Sequence, residues 1–362
     1  MQPAAAIPPL RDAILRLQPA GNLLTSLHLN LAQLTLESRA YSLPVEVLDR
    51  DILYFPGSSS GPKPRYLCDL SIPPTSYITA NTQLTQKLKS HEVLEYFLLT
   101  GMIFIGLREW EKARVWLENA ITYPLRGDAP TSRIMVEAYK KWVLVGLLIE
   151  GKMPNLPRWT SNNAAKQFHI IAKPYDALAE LFVQPSAARF KAEVDFASNI
   201  FRTDFNVGLI LNVVEAFQQF QIKNLGNVYT KISTPEIHEL TESAGSGTQL
   251  ANIQQLETLV SDMIANGALR ATLSSDSPPV LTFASTGPVL SEEAMAQELS
   301  QAGQRITTLT NEIKQTDKLL THDKDYIKYY QKYNKNKDGG QGGQDAMDWK
   351  DEDEEDLMGG AY

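Results

Sequence analysis

Residues 251–286 read ANIQQLETLVSDMIANGALRATLSSDSPPVLTFAST, and this stretch decides the fold. Over 251–266, Ile253, Leu256, Leu259, Val260, Met263 and Ile264 recur at helical spacing and make one apolar face. Gly267 follows where a C-terminal cap needs positive φ. The period then drops to two, with Leu269, Ala271 and Leu273 alternating with Arg270, Thr272 and Ser274. A polar turn, Ser275-Asp276-Ser277-Pro278-Pro279, leads to a second strand, Val280 to Phe283. Helix, glycine, strand, turn, strand is the closing part of a winged helix. It is the one clear β signal in an otherwise helical sequence. Such modules bind nucleic acid or protein, so charge decides between the two.

Across residues 221–286 the cations are Lys223, Lys231 and Arg270, against Glu236, Glu239, Glu242, Glu257, Asp262 and Asp276. The helix that would enter a major groove, 251–266, has no Lys or Arg. Nucleic-acid binding rests on several phosphate-neutralising cations, so this anionic module is repelled. A protein partner fits the charge. Leu269, Ala271, Leu273, Leu281 and Phe283 mark a short sheet whose edge can pair with a neighbour's. A nucleic-acid-binding winged-helix protein is the alternative of another class.

A different pattern begins a few residues downstream. Met295, Leu299, Ala302, Ile306, Leu309 and Ile313 recur at alternating spacings of four and three. Leu320, Ile327 and Tyr330 continue the register past Thr316 and Asp323. This is a seam of the coiled-coil kind. Ser291, Glu292 and Glu293 suit its start, with acids at the positive end of the helix dipole. A continuous helix over 291–333 would span ~65 Å. A narrow seam cannot hold a long helix alone. No other segment predicts a helix of matching length, so the seam predicts partner helices from other chains. Beyond it, 334–362 holds nine acids and three lysines, which carries most of the chain's net charge of −8. That composition predicts a solvated, disordered tail, in which Trp349 is the one hint of docking.

Upstream, residues 9–37 predict two short helices broken near Pro19, with Leu24, Leu27, Leu31, Leu34 and Leu36 on an apolar face. Residues 53–82 carry five prolines and Gly57-Ser-Ser-Ser-Gly61, a loop signature. His91 to Leu107 and Trp110 to Thr122 predict a helix pair. Within it Phe97, Gly101, Phe104, Ala113, Leu117, Ala120 and Pro124 fit the tetratricopeptide spacing, where small residues let two antiparallel helices touch. Ser132 to Glu150, ended by Gly151, predicts another helix, with more at about 174–183, 186–200 and 206–220.

The 362 residues allow one large or several ordinary domains, and 43 % hydrophobic with 21 % charged residues is globular. No run of ~18 apolar residues predicts a membrane span. The N-terminus lacks the basic region of a signal peptide, and the single cysteine, Cys68, fits a reducing compartment. His28, His91, His169, His238 and His322 form no ligand pair at motif spacing. Gly57 to Gly61 matches G-x-S-x-G in letters only, because Pro62 and Pro64 forbid the helix that such an elbow needs. The glycine spacing and Pro62 also exclude a Walker A loop. No catalytic residue, metal or cofactor is expected.

Several words rise above generic helix. They are Gly101 through Pro124, Ile134-Met-Val-Glu-Ala-Tyr-Lys-Lys141, Gly151-Lys-Met-Pro-Asn-Leu-Pro-Arg-Trp-Thr-Ser161 and Phe201-Arg-Thr-Asp-Phe-Asn-Val-Gly-Leu209. With them the chain resembles the third-subunit family of the COP-nine signalosome, PCI-domain proteins, in a fungal-type, N-terminally shortened form. The likeness runs over about 10–330 and is weakest at 53–82. It implies a helical-repeat arm, a winged helix and a C-terminal helix. It further implies winged helices paired edge to edge between subunits, and C-terminal helices gathered in a bundle. The implied complex removes Nedd8 from cullins, with catalysis in a separate metalloprotease subunit, so no catalytic residue carries over. Implied partners are PCI-type and metalloprotease-type subunits and, indirectly, cullin-RING ligases, in nucleus and cytoplasm, with no nucleic acid or membrane. Within the same fold, a scaffold of the proteasome lid or of the translation-initiation complex is the alternative. The glycine-acidic tail is not a general feature of the family.

The expected architecture is mostly α, a helical-repeat (TPR-like) array followed by a winged helix and a long C-terminal helix. Its expected divisions are 1–90, an N-terminal helical segment; 91–220, the repeat arm; and 221–286, the winged helix, which completes a PCI domain. Then come 287–333, the assembly helix, and 334–362, the acidic tail.

Overall fold

The helix ends are set by local chemistry. In a computed structural model the described residues are 3–19, 21–56, 74–124, 131–248, 252–274, 278–284 and 292–321, with 324, 326–328 and 331. After a 3-10 turn, Pro3–Ala6, helix α1 spans Ile7–Leu17 and α2 spans Ser26–Ser38. Thr25 and His28 cap α2 reciprocally, with the Thr25 N–H donating to His28 Nδ1 at 3.2 Å. Two short helices follow, α3 at Val45–Leu48 and α4 at Pro74–Tyr77. Most of the expected proline-rich loop, including Cys68 and the Gly57–Gly61 run, lies outside the described residues.

The repeat arm begins with α5, Ser90–Gly106, and α6, Trp110–Thr122, packed as a hairpin. A Cβ on Gly101 would sit 2.9 Å from Leu117 Cδ2 and 3.6 Å from the Ala113 carbonyl oxygen. This is the close approach that the tetratricopeptide spacing predicts, with Leu117 filling the gap. Helix α7, Arg133–Glu150, packs on α6; Ser132 caps it by accepting from the Met135 N–H at 3.2 Å. Next come α8, Asn162–Ile171, and α9, Lys173–Phe182. Helix α8 is absent from the sequence reading because it buries only Ala164 and Phe168, too few to make a periodic signal. The helix expected at 186–200 is two, α10 at Ala187–Phe196 and α11 at Ser198–Thr203, and α12 runs over Val207–Leu225. One core joins them, with Trp142 fully buried, Tyr139 stacked on Phe168 at 5.0 Å and Phe190 on Phe217 at 4.8 Å.

A small subdomain follows, with strand β1 at Lys231–Ser233, α13 at Thr234–Leu240, α14 at Ile253–Ala265, β2 at Ala271–Leu273 and β3 at Val280–Phe283. The sheet order is β1-β3-β2, antiparallel throughout, and this is the topology of a winged helix. Gly267 has φ 69°, as the capping argument requires. The strand expected from Leu269 starts at Ala271, because the Leu269 N–H donates to the Met263 carbonyl at 2.9 Å and stays with the end of α14. Strand β1 and helix α13 were not expected; at three and seven residues they are too short for a period to register. Met1–Ser285 forms one unit and Thr286–Tyr362 a second. Helix α15, Glu292–Thr321, belongs to the second unit.

Candidate assembly surface

The ladder bonds of β2 and β3 fix which groups face outward. The Ala284 N–H donates to the Arg270 carbonyl at 3.0 Å, and the Ser274 N–H to the Val280 carbonyl at 2.9 Å. With Thr272 opposite Thr282, the paired positions on β2 are therefore 270, 272 and 274. Alternation turns the N–H and C=O of Ala271 and Leu273 away from β3. Among the described residues no strand covers that edge. The β1 edge is blunted. Its outward positions are Lys231 and Ser233, and the Ser233 N–H is taken by Glu236 Oε2 at 3.1 Å in a capping box.

These geometries revise what a neighbour can use. Leu269, Ala271 and Leu281 are buried in the subdomain's own core with Ile222, Ile232, Ile237, Leu256, Val260 and Met263, and Leu273 and Phe283 pack against it. Their side chains hold the subdomain together. What β2 offers outward is backbone. Strand β3 is the centre of the sheet, paired on both sides, so within the expected sheet the strand that can take an additional partner is β2 and not 280–283. The alternating pattern locates the core-facing side chains but does not tell an edge strand from a central one. The sign of the open edge lies in the ladder register.

The winged helix is fixed to the arm by α12. Val213 and Phe217 sit in the arm's core, while Ile222, a little over one turn further on, sits in the core of the winged helix. Glu242 Oε2 accepts from the Ala187 N–H at 2.9 Å, and the Glu242 N–H donates to Gln221 at 2.9 Å. Lys223 lies 4.7 Å from the Phe220 ring, and burial holds its ammonium below the ordinary lysine range. One of the three cations of this region is thus used internally. Helix α14 carries Glu257 and Asp262 and no cation, which leaves nothing along it to meet a phosphate.

Helix α15 presents its seam openly. Met295, Leu299, Ile306, Leu309 and Ile313 are all at least half exposed, and Ala302 is exposed. Ile327 is exposed too; the side chain of Leu320, and Tyr330, lie outside the described residues. The helix is 30 residues long, ~45 Å. Its propensity is weakest in the middle, over 303–316. Gly303 interrupts it, and Thr307, Thr308, Thr310 and Thr316 each turn their hydroxyl back to the carbonyl four residues earlier.

The arm holds a polar network that the sequence reading did not find. Asp204 Oδ2 accepts from Lys140 Nζ at 2.7 Å and from the Tyr175 hydroxyl at 2.8 Å, and Asn206 Nδ2 donates to Tyr175 at 2.9 Å. Beside it the Tyr139 hydroxyl donates to Asp176 at 2.9 Å, and His169 Nδ1 lies 2.8 Å from the same carboxylate. Burial first, and then the Asp176 charge, raise the Tyr139 hydroxyl above its ordinary range. The network ties α7, α9 and the loop after α11, so the words around Glu137–Lys141 and Phe201–Leu209 carry packing contacts. Among the described residues no three His, Cys, Asp or Glu side chains are grouped to hold a metal, and no helix is long and apolar enough to cross a membrane.

Residues 1–164 match a family model described as COP9 signalosome complex subunit 3, N-terminal helical repeats. A Neurospora crassa protein named COP9 signalosome complex subunit 3 is 37 % identical over 335 residues, covering 91 % of this chain and 67 % of that protein. An Emericella nidulans protein of the same name is 31 % identical over 322 residues, covering 87 % of this chain and 63 % of its own length. The chain thus spans about two thirds of the length of these curated relatives.

Proposed function

We propose that this chain, which belongs to the COP9 signalosome subunit 3 family, is a non-catalytic scaffold subunit of that complex. In this reading, the arm and winged helix form a PCI domain, β2 pairs edge to edge with a neighbouring subunit, and α15 joins a bundle of helices from other subunits. Removal of Nedd8 from cullin-RING ligases takes place on a different, metalloprotease subunit. The complex works in nucleus and cytoplasm.

The observation that carries the reading is the seam of α15. Five large apolar side chains stand exposed along a glycine- and threonine-interrupted helix, an arrangement that water does not favour and partner helices would stabilise. Burying one such side chain contributes about 1.5–3 kcal/mol, so the seam supplies ample free energy for a bundle. The test is deletion of 288–333 from the full chain, followed by purification of a tagged copy with its complex. Loss of the other signalosome subunits is expected. Undiminished co-purification would remove the bundle from the reading.

A further inference from the structure

Helix α11 ends in a Schellman motif: the Phe205 N–H donates to the Arg202 carbonyl at 3.2 Å and the Asn206 N–H to the Phe201 carbonyl at 2.9 Å. The residue after the cap must then take the left-handed conformation, normally the place of glycine. Here it is Phe205, at φ 56°. A bulky aromatic in this region is strained. The strain is not offset by burial, since Phe205 is 92 % exposed.

Both neighbours of Phe205 are clamped. Asp204 is held by Lys140 and Tyr175, and Asn206, 1 % exposed, is held by Tyr175. The loop is therefore pre-organised to push one ring into solvent. Phe196, Ile200, Val207 and Leu211, on the elements that flank it, are also exposed apolar side chains. From 196 to 211 the only charges are Arg202 and Asp204, and Asp204 is neutralised by Lys140. Among the described residues Arg202 has no ion-pair partner.

We propose that Phe205 is a docking knob which inserts into an apolar pocket on a folded neighbouring subunit, with a carboxylate at the pocket rim facing Arg202. A protruding ring calls for a pre-formed cavity, whereas a flexible peptide would need a groove. The charge-poor surround with one free cation specifies an apolar contact with an acidic edge. Phe205 stands at the opposite end of α12 from the sheet, ~30 Å along a 19-residue helix. The knob is thus a second contact point, separate from the β2 edge. The proposal rests on the assembly reading above.

The test uses the full chain and a signalosome assembled from its other subunits without this one. Phe205→Asn keeps a residue that tolerates the left-handed conformation, so its melting temperature should equal or exceed that of the parent chain. Its affinity for the assembled complex should fall at least tenfold, and Arg202→Glu should weaken binding severalfold. Parent-like affinity of Phe205→Asn, with the parent chain binding normally, would overturn the knob and leave the scaffold reading intact. Loss of self-association in Phe205→Asn with unchanged assembly would also overturn it, in favour of a second copy. Failure of the parent chain itself to bind would sink the scaffold reading, and the knob with it.

Discussion

Proline at position 271 separates the two faces of β2. The Ala271 N–H points away from β3, so Ala271→Pro removes no ladder bond within the subdomain. The ring's Cδ replaces the outward hydrogen, and Arg270 before it lies outside any helix, its carbonyl held by the Ala284 N–H, where proline's restriction on the preceding residue costs little. The cost to the isolated chain should be about 1–2 kcal/mol, from pulling φ toward the proline value and from fitting the ring where the Ala271 side chain is buried. Thr272→Pro is the control. Its N–H faces Thr282, so proline there loses a ladder bond and should cost about 3 kcal/mol. Binding should show the reverse order of information. A strand docked on the open edge loses one hydrogen bond to Ala271→Pro and has one of its own carbonyls left unsatisfied, together about 2–4 kcal/mol. That is roughly 30- to 1,000-fold in affinity. The assay is binding of each full-length variant to the complex assembled without this subunit, with thermal melts alongside. The reasoning fails if Ala271→Pro melts as early as Thr272→Pro, because the outward N–H would then be misassigned. It also fails if Ala271→Pro binds within threefold of the parent chain.

Other consequences follow from the packing. His28 is fully buried, and burial lowers its imidazole from 6.5 to about 4. The unfolded chain takes up that proton near pH 6.5 and the folded chain only near pH 4. The stability contributed by neutral His28 is thus fully present above about 6.5 and lost as pH falls toward 4, about 3 kcal/mol in all. Denaturation midpoints between pH 7 and 4 should show this slope, and His28→Gln should flatten it. A Cβ on Gly146 would clash with Cγ of Pro154, a rigid ring, so Gly146→Ala should lower stability by about 1–2 kcal/mol despite its better helix propensity. An unchanged or raised melting temperature would contradict that. Tyr175→Phe leaves the buried Asn206 amide without its acceptor and should cost about 1–3 kcal/mol in chemical denaturation, with no change in far-UV circular dichroism.

The sequence carried those parts of the fold whose signal is periodic or sterically unique. Gly101 with Leu117, Ser132 with Gly151, and the 253–265 helix with Gly267 were all legible, because each position admits few residue types. Helix α8, β1 and α13 were not legible, because two buried residues or a three-residue strand give no period. The alternation at 269–273 located a strand and its inward face correctly. It could not say which strand lay at the edge, since that depends on β1, a segment 40 residues upstream whose pairing leaves no mark in its own composition.

The same limit explains why Phe205 escapes a reading of hydrophobic pattern. In sequence, Phe201, Phe205 and Leu209 are spaced four apart, although the helices expected at 186–200 and 206–220 leave Phe205 between them. In the structure Phe201 and Leu209 are buried, and Phe205 stands in solvent because the helix stops between them. The stop is made by backbone bonds and by polar anchors from Lys140 and Tyr175, which lie 64 and 29 residues from Asp204 in sequence. An apolar residue at helical spacing is evidence of a core only while the helix continues. Where a distant network ends the helix, the same residue becomes a surface feature, and its strained φ marks it as one that packing within this chain alone does not explain.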